Sequence, residues 1–134
     1  MSWPLHLRVL VRLQWVFAAL AVGFLIASAA RAAIVGAPLS AANIPASIGL
    51  FVLYAASLFL PRAGRLGWYR LAMIPALVFF GGGGVIANVL RYAENGLESY
   101  ASVTAFVIAV GINAFGTILN LIAALGLFRK DGSP

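Results

Sequence analysis

Four side chains in this sequence have the polarity and spacing to organise a solute or to bond helices together: Asn88, Asn113, Thr117 and Asn120. The last three recur at offsets of four and three. A helix therefore puts them on one stripe, beside the small residues Ser102, Ala105, Ala109, Gly116 and Ala124. Burying a carboxamide in hydrocarbon without a partner costs about 2–7 kcal/mol. The stripe must then face protein or water. Interhelical hydrogen bonding is one use, and a polar lining for a small solute, with Asn88 as the opposite wall, is the other. A second group is Arg31 and Arg91 with Glu94 and Glu98. The arginines can grip a phosphate or carboxylate bidentately, or pair with the glutamates and tie two parts of the chain together.

Other chemistries lack their residues. The chain has no cysteine and one histidine, His6. Thiolate metal sites, disulfides and a bis-histidine haem are excluded, and a hydrolytic site has no histidine base in an apolar run. No cofactor, bound metal or enzymatic activity is expected. No Asp, Glu, Lys or Arg lies in the middle of an apolar run. That argues against proton- or sodium-coupled antiport, which relies on an intramembrane carboxylate.

The elements that position these residues follow from composition. The 134 residues are 63% hydrophobic and 9% charged, too few charges to cover a soluble domain. Apolar runs about 20 residues long point to an all-α integral membrane protein. One four-helix transmembrane domain is expected over 1–134, with spans near 14–30, 43–60, 70–90 and 100–128. Residues 1–13 read as an interfacial lead-in, with Trp3 and Trp15 as headgroup anchors. Pro45 suits a first helical turn, Pro61 closes the second span, and Pro75 kinks the third. Residues 91–99 read as a loop. Ala27-Ser28-Ala29 has the small-residue pattern of a signal-peptidase site, but an internal similarity favours a retained span.

Charge predicts topology. Arg8, Arg12, Arg62, Arg65, Arg70, Arg129 and Lys130, seven of the nine basic residues, fall on one side of such a bundle. The positive-inside rule then puts both termini and the middle loop in the cytoplasm. The arginine- and alanine-rich composition fits a bacterial inner-membrane protein. The net charge of +6 sits at span ends, so nucleic acid is not an expected partner. Membrane lipids and other transmembrane helices are.

The run Gly81-Gly82-Gly83-Gly84 sits inside the third span. Each glycine costs an aqueous helix about 1 kcal/mol relative to alanine. In a membrane, small residues let helices approach closely. Ala19, Gly23 and Ala27 of the first span and Gly83, Gly84 and Ala87 of the third predict a contact between those two spans. Residues 22–36 laid over 82–96 match at Gly23/Gly83, Ile26/Ile86, Ala27/Ala87, Arg31/Arg91, Ala33/Ala93 and Gly36/Gly96, and Ser28 falls on Asn88. Two helical hairpins of parallel topology are the implied repeat. These features favour a small non-enzymatic accessory or stabilising subunit, or a homo-oligomer. The alternative is a channel or carrier for a small neutral or anionic solute or a lipid.

Overall fold

The computed structural model describes residues 5–130. Trp3 and residues 131–134 lie outside them. Four helices follow one another, and no strand forms among the described residues. Helix α1 spans Leu7–Val35, α2 spans Ile44–Ser57, α3 spans Leu66–Ser99 and α4 spans Val103–Leu125. Three of them, α1, α3 and α4, are long and apolar enough to cross a membrane, and α2 is a shorter apolar helix.

The first helix starts at Leu7, not near Gln14. Among the described residues, 7–13 belong to this helix and not to a separate lead-in, because Leu7, Leu10, Gln14, Phe17, Ala21, Leu25 and Ser28 form one unbroken buried stripe at three- and four-residue steps. Gly36, at φ 81°, ends it in the left-handed conformation that a side chain disfavours. Helix α2 begins as expected. Asn43 Oδ1 accepts from Ala46 N (3.1 Å), and Pro45 occupies the first turn. Ser102 caps α4 in the same way, its Oγ accepting from Ala105 N (3.0 Å).

Helix α3 departs from the expected span. It is α-helical over Leu66–Ala76, a π-helix over Leu77–Ile86, α-helical again over Ala87–Asn95, and closes in a 3₁₀ turn at Gly96–Ser99. Residues 91–99 are therefore helical, not a loop. Pro75 has no N–H to give, and the widened register begins two residues later. The glycines have no Cβ atoms to crowd the wider turn. Pairing i with i+5 adds a residue per turn and re-aims every following side chain.

Helix α4 packs against α1 and along α3, including its π segment. Where α1 meets the π segment, it does so through rings. Phe17, Phe51, Tyr54 and Phe80 form one cluster, with Phe51 and Phe80 stacked at 4.6 Å and Phe17 edge-on to Phe80 at 5.4 Å. The expected glycine contact between the first and third spans is not made. Ala19, Gly23 and Ala27 are exposed, and a Cβ built on Gly23 or on Gly83 meets nothing within 4 Å. Gly84 instead lies against α4, where an added Cβ would come 2.6 Å from Asn113 Cγ.

Two backbone clasps close the bundle. At one end Leu7 N donates to Arg129 O and Arg129 N to Leu5 O, both 2.8 Å. At the far end Ala41 N donates to Ser99 O and Ala101 N to Leu39 O, both 2.9 Å. Buried Ser28 Oγ accepts from Leu39 N (3.0 Å), which fixes the 36–43 loop onto α1.

Candidate functional site

The expected polar stripe divides into two places. At the far end, a cavity of about 440 Å³ opens between α1, α2, α3 and α4. Asn88 and Asn113 line it, as do Arg91, Ser40, Ser47 and Tyr100. Its floor is the stacked pair Phe51 and Phe80. Thr117 and Asn120 lie elsewhere on α4.

Each polar group in the cavity is positioned by its own helix. Asn88 Nδ2 donates to Gly84 O (2.9 Å), and its Oδ1 accepts from the Arg91 guanidinium (2.9 Å). Residues three and four apart on a helix are neighbours, so 84, 88 and 91 align without help from elsewhere. Asn113 Nδ2 donates to Ala109 O (3.1 Å). Arg91 carries five N–H donors and gives Asn88 a bond through one of its terminal nitrogens. The site therefore offers a cation with spare donors beside two carboxamides. Burial pushes the Tyr100 phenol above its ordinary value, partly offset by the Arg91 guanidinium. Its hydroxyl stays a donor at neutral pH. Tyr92 stacks on Phe106 at 4.2 Å, with Tyr100 edge-on to the same ring at 5.2 Å, holding the end of α3 against α4.

Comparison with protein-family models, with curated proteins and with solved structures finds no match for this chain.

The remaining members of the stripe have other work. Thr117 Oγ1 donates to Asn113 O (2.7 Å), and the side chain packs on Gly81. Asn120 is fully buried, at 0% exposure, in a network nearer the termini. Its Oδ1 accepts from Tyr54 O–H (2.6 Å) and from Gln14 Nε2 (3.1 Å). Gln14 Nε2 also approaches Met73 Sδ (3.2 Å), and Gln14 Oε1 accepts from Tyr69 O–H. Four helices thus meet at one buried polar knot, which leaves Asn120 Nδ2 without a partner. Gln14, Tyr54 and Tyr69 were not expected there. A carboxamide and two phenols in apolar sequence were the available signal, since each must find a partner away from water.

The arginines also separate. Arg31 donates to the carbonyls of Ala37 (3.0 Å) and Pro38 (3.1 Å), just past the end of its own helix. Those carbonyls, not Glu94 or Glu98, hold it, so the expected bridge between hairpins is not formed. Arg91 alone of the pair lines the cavity. Glu94 and Glu98 are exposed on the last turns of α3. The matched Arg31 and Arg91 differ in role, as do Ser28, which fastens a loop, and Asn88, which falls on it in the alignment and faces the cavity.

Proposed function

We propose that this is a non-enzymatic multi-pass membrane protein that binds a small polar or anionic molecule, or an anionic headgroup, in the far-end cavity. The observation that carries the reading is the convergence of Arg91, Asn88 and Asn113 from two helices on one space of about 440 Å³. That volume falls in the range of about 300–1,000 Å³ typical of small-molecule pockets. A guanidinium with spare donors suits a carboxylate or phosphate, and the carboxamides suit neutral polar groups. The aromatic floor favours a carrier or receptor site over an open channel. The arginine- and alanine-rich composition suits a bacterial inner membrane, and the distribution of basic residues suits cytoplasmic termini. The cavity then opens toward the periplasm.

An accessory-subunit or homo-oligomer role is the second reading. It is favoured by the exposed Ala19, Gly23 and Ala27 face, where nothing lies over Gly23 and another helix has room to approach.

Thermal unfolding of the protein in lipid nanodiscs separates the two. The panel is inorganic phosphate, sulfate, acetate, glycerol and acetamide. A ligand at 100 times its Kd stabilises by about 2.7 kcal/mol, which is readily measured. At least one anion is expected to raise Tm. Arg91→Gln combined with Asn113→Leu removes that rise while the unliganded variant still unfolds cooperatively. No shift across the panel, together with stoichiometric co-purification of another membrane chain in mild detergent, overturns the binding reading in favour of the second.

A further inference from the structure

The end of the bundle that holds the termini has a cavity of its own, unconnected with the reading above. It encloses about 550 Å³ between the start of α1 and the turn joining α2 to α3. Arg8, Arg12, Arg62 and Lys130 line it, and no acidic side chain does so among the described residues. Arg8 and Arg12 are one helical turn apart on α1, so their guanidiniums rise from the same face. Arg62 comes from the turn opposite, and Lys130 from the segment after α4 that is clasped to Leu5 and Leu7. An anion placed between Arg12, Arg62 and Lys130 is attracted by all three.

The other wall of this cavity is apolar. Leu58, Phe59, Pro61, Leu66, Val11 and Trp15 complete the lining. Trp15 and Phe59 meet edge to face at 5.5 Å, and both are partly exposed on the outer surface of the bundle. A soluble anion has no use for such a wall. A lipid has both parts, a charged headgroup for the cations and an acyl chain for the rings. Indole and arginine together mark the headgroup level of a membrane-spanning bundle.

We infer that this cleft is a binding site for an anionic phospholipid. The headgroup phosphate lies among Arg12, Arg62 and Lys130, and the first part of an acyl chain lies along Trp15 and Phe59. Arginine matches phosphate oxygens through paired N–H bonds, which a zwitterionic headgroup would oppose with its own cation. Basic pockets between helices on the cytoplasmic face are suited to anionic headgroups on the same grounds.

The test uses the full chain reconstituted in vesicles of equal parts phosphatidylglycerol and phosphatidylcholine, then extracted in mild detergent for native mass spectrometry. The unmodified protein is expected to retain phosphatidylglycerol in clear excess over phosphatidylcholine, and the excess falls as salt is raised. Arg12→Gln and Arg62→Gln each lower the retained excess roughly fivefold. Equal retention of the two lipids by the unmodified protein overturns the proposal, and that measurement needs no variant to fold. Retention unchanged in both variants overturns it as well. Stabilisation by inorganic phosphate alone equal to that by phosphatidylglycerol overturns the lipid assignment and leaves a soluble-anion site.

Discussion

Gln14→Leu is expected to destabilise the bundle by about 2–3 kcal/mol, because it strands buried hydrogen-bonding groups that no water can reach. Gln14 is 0% exposed and its carboxamide bonds Tyr69, Asn120 and Met73. Leucine has a similar size, so packing around the site changes little. What changes is that Tyr69 O–H loses its acceptor. A typical interhelical hydrogen bond in a membrane contributes only about 0.6 kcal/mol. The larger figure expected here comes from leaving a phenol unpaired. Reversible unfolding by dodecyl sulfate in mixed micelles measures it. A cycle with Asn120→Leu should be non-additive by at least about 0.5 kcal/mol, since the two residues share a bond. Additive losses, or a loss below 0.5 kcal/mol for Gln14→Leu, would show that the knot does not hold the helices together.

Gly116→Val should cost about 3 kcal/mol or more, the upper end of core overpacking. A Cβ at Gly116 would overlap the ring of Phe17. Phe17 cannot yield easily. It is fully buried, and Phe51, Tyr54 and Phe80 surround it edge-on at 5.4–5.5 Å. Gly116 and Phe17 thus meet directly between α4 and α1, and the strain falls on that contact. Gly83→Ala is the internal control. Its Cβ meets no neighbouring element. It should shift the unfolding midpoint far less than Gly116→Val does. Comparable losses in both variants, read by the same micellar unfolding, would mean that small size at residue 116 has no special role.

These two residues also show what could be read in the sequence. Composition and apolar run length sufficed for the helical class, and Asn43 with Pro45 marked the start of α2. The stripe on α4 was legible because α4 is a regular α-helix over Val103–Leu125. The face of the glycine run was not. A 3.6-residue period misplaces it, because Leu77–Ile86 is a π-helix: Gly83 borders the far-end cavity and Gly84 lies onto Asn113 of α4. Gly116 appeared only as one small residue among several, because nothing in the sequence identifies Phe17 as its neighbour. Gln14 stands at the first residue of the expected span, beside the headgroup anchor Trp15. Only the start of the helix at Leu7 makes it interior. The Arg31 assignment failed for a local reason. Carbonyls freed where α1 ends at Gly36 lie within reach of the guanidinium, and no distant carboxylate is needed.

Thiol accessibility tests the central claim, a polar cavity entered from the end opposite the termini and closed below by aromatic rings. The chain has no cysteine, so single substitutions give an unambiguous signal. In intact cells, a small membrane-impermeant anionic thiosulfonate should modify Asn113→Cys and Ser99→Cys, and should leave Asn120→Cys and Gly64→Cys unmodified. Protection of Asn113→Cys while Ser99→Cys reacts would contradict the cavity. Reaction at Asn120→Cys would contradict the closed floor, and reaction at Gly64→Cys would reverse the orientation.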